Sequence, residues 1–374
     1  MYKLSIYLIT WAIAFILMAA SLHAAQPLKI GVILARTGNA ALDSKNGFEA
    51  AEYAVQIINS KGGILHRPVK LVELDNESTA LGSRKAALEA VKKKVCGVVG
   101  AVWSSHSIAM AKVLQQHGIP MISPSSTSPD LTLTGSYIFR ICFNDNFQGK
   151  VMANFALNSL NAQRAVVLTN SSSKYSIGLS DAFIRQFSRK GSVVWQSDYI
   201  EGTTNFLPFL EKIRGLNTDV IFVPDHFRES GFIIKQARSM GIATIFLGGD
   251  GWLNQMYKYG GKAIEGNYYS AQWHYLSCDP VSREFVRMYA KNHKTAAHPV
   301  IALVYDSVML MADAVKRAGS SDHRAIRDAI ASTSNFHGVT GAIKFDANGD
   351  PVNKPAVILK FENNDSVYFK LVKP

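Results

Sequence analysis

The chain has 374 residues, 48% of them hydrophobic and 18% charged, and its formal net charge is +12 at pH 7. Its length suits two domains, and its composition is that of an ordinary globular protein. The basic residues are scattered apart from a run at 92–94, so we expect no nucleic-acid partner; attraction to an anionic membrane surface fits the charge better.

Residues 1–25 have the pattern of a secretory signal peptide. Lys3 gives a positive start, residues 4–20 are apolar, and the small residues Ala24 and Ala25 precede Gln26. A membrane anchor is the alternative, but the apolar run is near the lower length limit for spanning a bilayer. No cysteine follows the run, which argues against a lipid anchor. We therefore expect an exported, soluble mature chain.

Apolar runs alternate with amphipathic stretches along most of the chain. The first series predicts strands at 28–34, 69–74, 97–102 and 119–124, with helices at 46–60, 81–93 and 108–117. The second predicts helices at 147–160, 178–189, 205–213 and 229–240, with strands at 165–169, 192–199, 219–223 and 243–247. This alternation indicates βαβ units and two parallel, doubly wound sheets.

The C-terminal part has a different pattern. Long helices are predicted at 280–293, 300–318 and 322–331, followed by strands at 342–345, 357–361 and 365–371. The acidic segment 346–350 is typical of a tight turn. A calcium loop would need more liganding positions and a closing glutamate.

Two serine-rich loops follow neighbouring predicted strands of the first series. One begins at Trp103 and Ser104, and the other runs from Ser125 to Thr132. Parallel strands joined by a helix bring both loops to one carboxyl edge, where open α/β sheets bind ligands. Hydroxyl and N–H groups there would hold a small anionic group such as a carboxylate. No acid, base or metal cluster accompanies them, so the pattern favours binding over catalysis.

The segment Ile122-Ser123-Pro124-Ser125-Ser126-Thr127-Ser128-Pro129-Asp130-Leu131-Thr132 is close to an ISPAATxPxLT signature. With it, the chain resembles the leucine/isoleucine/valine-binding family of periplasmic binding proteins, the solute receptors of ABC importers. Further matches occur in order after the leader: Lys29-Ile30-Gly31-Val32, Asn46-Gly47, Ile57-Ile58-Asn59, Gly62-Gly63-Ile64, Tyr175, Gly178-Leu179, Gln236-Ala237-Arg238, Gly248-Gly249-Asp250-Gly251, Gly338-Val339-Thr340-Gly341 and 345–350.

The resemblance implies the type I periplasmic binding protein fold, an α/β architecture of two doubly wound parallel-sheet lobes joined by three crossover strands. The crossovers match residues 140–144, 269–273 and 348–355. Lobe one is then 26–143 plus 274–348, and lobe two is 144–273 plus 349–374. Composition and periodicity alone do not indicate this exchange of strands.

The resemblance also implies how an amino acid is held. It assigns the ligand carboxylate to Ser104 and Thr127 with nearby backbone amides, and the ammonium to Thr127, to Asp250 and to the carbonyl near Ser125. The candidate ligand-binding residues are Trp103, Ser104, Ser125, Ser126, Thr127, Tyr175, His226 and Asp250.

Each of these residues also has a simpler interpretation. Ser104 and Thr127 could bond to the local backbone at a strand end or helix start, and Asp250 could be a turn residue. Tyr175 could be a partly buried surface residue, and His226 a loop histidine.

The chain departs from the family pattern at 37–45, which is shorter than usual and lacks the aromatic residue that commonly covers the ligand side chain. Trp103 could supply that surface, although a core tryptophan is the alternative. Branched-chain specificity is therefore not implied by the resemblance.

We do not expect this protein to be an enzyme, and we expect no catalytic residue, bound metal or cofactor. The sequence contains no G-x-S-x-G elbow, P-loop or zinc-ligand spacing. Ser104 and His106 lie close together in sequence, but a catalytic pair needs a third orienting group. The expected function is a periplasmic receptor that binds a branched-chain or similar amino acid and delivers it to an ABC permease at the inner membrane as a monomer.

Two alternatives stay open. One is a receptor for a small carboxylate, aromatic acid or amide, and the other is a sensor that signals to a membrane receptor. Asp250 argues against a purely anionic solute.

Three cysteines are present, Cys96, Cys142 and Cys278, so at least one is unpaired. Cys96 and Cys142 lie in apolar stretches and are expected to be inert core thiols.

Overall fold

The computed structural model describes residues 26–276, 279–293 and 297–374, so the leader and Cys278 lie outside the described residues. The strands are β1 Leu28–Leu34, β2 Val69–Asp75, β3 Gly97–Gly100, β4 Met121–Ser123, β5 Ile138–Arg140, β6 Arg164–Asn170, β7 Ser192–Tyr199, β8 Val220–Phe222, β9 Ile245–Gly248, β10 Tyr268–Ala271, β11 Phe336–Gly338, β12 Gly341–Ile343, β13 Ala356–Glu362 and β14 Asp365–Val372.

Eleven α-helices occur among the described residues. They are α1 Ala41–Ser60, α2 Ala80–Lys92, α3 Ser104–Gln116, α4 Asp145–Ser159, α5 Lys174–Phe187, α6 Leu207–Arg214, α7 Phe227–Ser239, α8 Tyr257–Gly260, α9 Pro280–Asn292, α10 Pro299–Ala318 and α11 His323–Ala331. Short 3-10 turns lie at Thr132–Thr134, Asn254–Met256 and Gly261–Ile264. In the part of the chain that the structure describes, no helix is long and apolar enough to cross a membrane.

The first lobe is built on a five-stranded sheet in the order β2-β1-β3-β4-β5, with every pair parallel. Its strands are apolar runs because helices cover both faces. In β1, Ile30, Val32 and Leu34 face the core shared with α1, α10 and α11, whereas Ile33 faces α2 and α3.

The second lobe is built on a seven-stranded sheet in the order β14-β13-β10-β9-β8-β6-β7. The five strands from β10 to β7 are parallel, and β13 and β14 extend the sheet as an antiparallel pair. Buried residues of α6 and α7 pack on one face, and those of α4 and α5 on the other. The prediction of an α/β fold with two parallel-sheet lobes is thus confirmed, with an antiparallel edge added.

The chain passes between the two lobes three times: from β5 to α4, from β10 to α9, and from β12, which pairs with β11 in a separate two-stranded sheet, to β13. A buried ion pair joins the first and third passages, since Arg140 Nε donates to Asp350 Oδ1 at 2.6 Å. Asn144 Nδ2 donates to the other oxygen of Asp350 at 2.9 Å. The connections between the lobes are therefore bonded to one another.

Several helices begin earlier than their apolar periodicity predicts. The first turn of α1 starts at Ala41 rather than 46, that of α3 at Ser104 rather than 108, and that of α5 at Lys174 rather than 178. Most residues of these first turns are small or polar, so the turns give too few apolar positions to extend the helical period.

Cys96 and Cys142 are buried and form no disulfide among the described residues. Burial raises the pKa of the Cys96 thiol to about 11, and it raises that of Cys142 further. Both thiols are therefore protonated and unreactive at neutral pH.

Candidate functional site

A small cavity lies between the lobes, at the edge where the strands of both sheets end. Seven of the eight residues predicted from the sequence line it, namely Trp103, Ser104, Ser125, Thr127, Tyr175, His226 and Asp250. Asp43, Leu253 and Val300 also line it and were not predicted. The structure thus brings together residues from segments that are up to 147 positions apart among the predicted set (250 − 103 = 147).

Hydrogen-bond donors of the backbone form the first-lobe wall. Helix α3 begins at Ser104, so its positive end faces the cavity. The N–H groups of Ser104 and Thr127 form no hydrogen bond with any described residue. The Ser104 hydroxyl accepts the N–H of Ser128 at 3.1 Å, which fixes the second loop against the first. A free N–H group at a helix start and another on the neighbouring loop suit a carboxylate.

Ser126 is the predicted residue that does not line the cavity. Its hydroxyl donates to the carbonyl of Val102 at 2.9 Å and lies 2.6 Å from the Ser107 hydroxyl. The side chain is fully buried inside the first lobe. It ties the two serine-rich loops together.

The second-lobe wall presents the Asp250 carboxylate. Gln148 Nε2 donates to one oxygen and Gln272 Nε2 to the other, each at 2.9 Å. The Asp250 N–H in turn donates to Gln148 Oε1 at 2.8 Å. Burial raises the pKa of Asp250 to about 6. No cation neutralises this carboxylate among the described residues, so it suits an ammonium group.

The loop that holds Asp250 fits tightly because Gly249 has no side chain. A Cβ at Gly249 would lie 2.3 Å from the Tyr175 hydroxyl and 2.8 Å from Gln148 Oε1. The Tyr175 hydroxyl accepts the N–H of Gly251 at 3.0 Å. Tyr175 therefore supports the Asp250 loop as well as lining the cavity.

Aromatic rings form a stack across the two lobes. The Trp103 and His226 rings are almost parallel, with centroids 3.7 Å apart, and Tyr175 lies 5.3 Å beyond His226. The His106 ring also stacks on Trp103, with centroids 5.4 Å apart. Burial lowers the pKa of His226 to about 3 and that of His106 to about 4, so both imidazoles are neutral. They act as aromatic surfaces rather than as cations.

Asp43 is the charged cavity residue that the sequence analysis missed. Its Oδ2 accepts the Trp103 Nε1–H at 2.6 Å, whereas its Oδ1 has no hydrogen-bond partner among the described residues. Burial is the main reason that the pKa of Asp43 is raised to about 7. The hydrogen bond from Trp103 lowers this pKa, and the Asp250 charge raises it. Its position was the one feature that could have identified it, because Asp43 is the only acidic residue in segment 37–45, where the chain departs from the family pattern.

The arrangement is suited to holding a small zwitterion. Free N–H groups on one wall face a carboxylate on the other, and neutral rings shield the space between. Across the described residues, no cluster of histidine, cysteine, aspartate or glutamate is arranged to hold a metal ion. The neutral His106 ring stacks on Trp103, and among the described residues no hydrogen bond joins it to Ser104 or Ser105.

Comparison with known proteins gives the same fold. The family model described as periplasmic binding protein matches residues 27–366. The Leu/Ile/Val-binding protein homolog 3 of Brucella melitensis is 27% identical over 345 residues, which is 91% of this chain and 93% of that protein.

Two solved structures are similar over nearly the whole chain. The leucine-binding protein LivK of Thermotoga maritima has a TM-score of 0.89 at 34% identity, covering 93% of this chain and 99% of that one. The branched-chain amino acid transporter substrate-binding protein LivJ of Streptococcus pneumoniae, solved with isoleucine, has a TM-score of 0.88 at 32% identity, covering 93% and 100%.

Proposed function

The chain belongs to the periplasmic binding protein family, and from this premise we propose that it is the solute receptor of an ABC importer and binds an amino acid between its lobes. Its relatives are named as substrate-binding transport proteins rather than enzymes. The proposed receptor is exported to the periplasm, acts as a monomer and delivers its ligand to a permease at the inner membrane.

The observation that supports an amino acid is the opposition of two kinds of group across one cavity. The unpartnered N–H groups of Ser104 and Thr127 would receive the α-carboxylate. The Asp250 carboxylate on the facing wall would receive the α-ammonium. Burying a zwitterion is favourable only when both of its charges are matched in this way.

The proposed lobes have the limits that the resemblance implies, 26–143 plus 274–348 and 144–273 plus 349–374. These limits fit the three passages of the chain, because each falls in a connection between the sheets. The ligand would then be held by residues of both lobes, as expected for a receptor that closes on its solute.

A small carboxylate or aromatic acid is a weaker candidate. The described residues that line the cavity include Asp43 and Asp250 but no lysine or arginine. An anionic ligand without an amine would leave both carboxylates facing additional negative charge.

The test is a thermal-shift screen of the purified mature protein against amino acids and amine-free carboxylates. A ligand at about a hundred times its Kd stabilises the fold by ~2.7 kcal/mol. Each kcal/mol raises the melting temperature of a protein of this size by about 2–4 °C. A shift with an amine-free carboxylate and with no amino acid would refute the proposal.

A further inference from the structure

We propose that Asp43 is a second ligand-binding carboxylate and that the ligand is an amino acid with a short, positively charged side chain. This inference rests on the proposed function and adds the substrate class. Nothing in the family resemblance assigns a role to Asp43.

The position of Asp43 places a carboxylate inside the cavity, away from the wall that holds Asp250. It lies in the first turn of α1, on the first lobe, and its side chain is only 2% exposed. Its Oδ1 is buried and has no hydrogen-bond partner among the described residues. A buried carboxylate oxygen left without a donor is costly, so a donor from a ligand would satisfy it.

Charge balance distinguishes the side chain of the ligand. One ammonium from an aliphatic amino acid would neutralise Asp250 and leave Asp43 without a cation, either as an unpaired buried charge or as a protonated carboxyl group. His226 and His106 are neutral and contribute no positive charge. A second cation on the ligand would pair with Asp43, and breaking or omitting one half of a buried ion pair is unfavourable.

The surroundings of Asp43 fit a short alkyl stem that ends in a cation. Val102, Val300 and Leu253 are buried apolar side chains that line the same cavity. Their surfaces can contact methylene groups while the terminal ammonium reaches Asp43. Long basic side chains combine an apolar stem and a charged head in the same way.

Asp43 has a competing structural role, because its Oδ2 accepts the Trp103 Nε1–H. Acidic residues in the first turn of a helix also interact favourably with the helix dipole. These roles need one carboxylate oxygen and an acceptor at this position, but they do not depend on which amino acid is bound. Ligand selectivity therefore separates the two explanations.

The experiment compares two amino acids of almost the same shape by calorimetric titration. The side chain of 2,4-diaminobutyrate ends in an ammonium where that of norvaline ends in a methyl group. We expect the wild type to bind 2,4-diaminobutyrate at least tenfold more tightly than norvaline. Ornithine and norleucine, each one methylene longer, form a second matched pair.

Asp43→Asn is the informative variant, because asparagine keeps an acceptor for Trp103 and removes the charge. It should weaken 2,4-diaminobutyrate binding at least tenfold and leave norvaline binding unchanged or improved. Asp181→Asn, on the exposed surface of α5, is the control and should change neither affinity.

Two results would overturn the inference while leaving the proposed function intact. The first is tighter binding of norvaline and norleucine than of their basic counterparts by the wild type. The second is an equal loss of both ligands in Asp43→Asn, which would make Asp43 a positioning residue for Trp103. Binding of amine-free carboxylates alone would instead refute the amino-acid receptor itself.

Discussion

Two glutamine side chains hold the Asp250 carboxylate at the second-lobe wall of the cavity. Gln148 and Gln272 each donate to it at 2.9 Å, and neither brings a positive charge. Its pKa is raised to about 6 mainly by burial. An ammonium from the ligand would be the missing counter-charge, so this residue should matter for binding more than for folding.

Asp250→Asn should therefore abolish most of the affinity for the best amino acid from the screen. Removing one member of a buried ion pair costs about 3–5 kcal/mol, which is a hundred- to several-thousand-fold change in Kd. Calorimetric titration measures the loss, and urea unfolding of the free protein should change little. The exposed Asp181→Asn serves as the control; an Asp250→Asn affinity within about threefold of wild type would remove Asp250 from the site.

The protonation of Asp43 predicts how stability depends on pH. Its pKa in the folded protein is about 7 against an ordinary value of 3.8. A raised pKa means that its stabilising contribution is complete below pH 3.8 and is lost as the pH rises through about 7. Asp250 is the charged group that faces it, and Trp103 donates to it.

The side chain at position 43 cannot ionise in Asp43→Asn, so this variant should not lose that contribution to stability as the pH rises. Relative to wild type, the free energy of unfolding of the ligand-free variant should rise by about 2–3 kcal/mol between pH 5 and pH 8. Urea unfolding of both proteins at the two pH values measures the difference. If the free energies of unfolding of the two proteins differ by the same amount at pH 5 and pH 8, Asp43 is hydrated in the free protein and its pKa is ordinary.

Single cavity residues were predictable where a motif singled them out. Trp103, Ser104, Ser125 and Thr127 follow strand ends in the serine-rich loops, and the structure places all four at the cavity. Asp43 was not predictable, because no local pattern distinguishes a helix-start acid at the surface from one turned inward. Their roles in binding stay predictions.

Among the elements, the connections between the lobes are stabilised by Arg140. It is fully buried, and its guanidinium donates to Asp350 on the third passage and to the carbonyls of Ser126 and Ser128. These two carbonyls belong to the residues on either side of Thr127, which lines the cavity and has an unpartnered N–H group. The ion pair thus fixes both the hinge connections and the loop proposed to hold the ligand carboxylate.

Asp350→Asn should leave the Arg140 charge buried and unpaired. The expected loss in the free energy of unfolding is about 3–5 kcal/mol. Glu89→Gln, which removes the exposed pairs of Glu89 with Lys92 and Lys93 on α2, should cost no more than about 1 kcal/mol. Urea unfolding compares the two variants; equal effects would mean that the Arg140 pair contributes no more than a surface pair.

The elements were predictable in proportion to their apolar content. β1 and β7 have the bounds that were predicted, because β1 is a nearly continuous buried run and β7 is bounded by clear polar turns. The short strands β5 and β10 were not predicted from periodicity, since only three or four residues form each, although the family resemblance placed crossover strands at 140–144 and 269–273. A run of that length gives too little periodicity to identify.

At the scale of the whole molecule, the alternation of strands and helices predicted two doubly wound sheets but not how the chain divides between them. Strand order depends on which segments pair, and these segments can lie far apart in the chain. Only the family resemblance indicated three passages between lobes.

The first residues of β10 and β13 are 88 positions apart (356 − 268 = 88), and the two strands pair antiparallel, with Tyr268 opposite Lys360. A pairing over that distance leaves no local trace in the sequence, which is why the division of the chain between the sheets could not be read from periodicity.

The two lobes contact each other directly around the cavity. The Trp103 ring on the first lobe stacks on His226 of the second, and Lys174 N–H donates to the Ser105 hydroxyl at 3.2 Å. Asn39 Nδ2 also donates to Glu201 Oε1 at 3.1 Å. These contacts hold the lobes together over the cavity, so they should favour the closed arrangement whether or not a ligand is present.

His226→Ala should shift the molecule toward an open arrangement by removing the stack with Trp103. An aromatic pair contributes about 0.5–1.5 kcal/mol beyond its buried area, so the ratio of closed to open molecules should fall about two- to twelvefold. Because the proposed ligand would be bound by both lobes, its affinity should fall by up to a similar factor. Small-angle scattering of the ligand-free protein should give a larger radius of gyration, which saturating ligand returns to the wild-type value. His226→Phe keeps a ring at this position and should behave as wild type in both measurements. If His226→Phe loses as much affinity as His226→Ala, the imidazole nitrogens rather than the stacked ring are what the ligand requires.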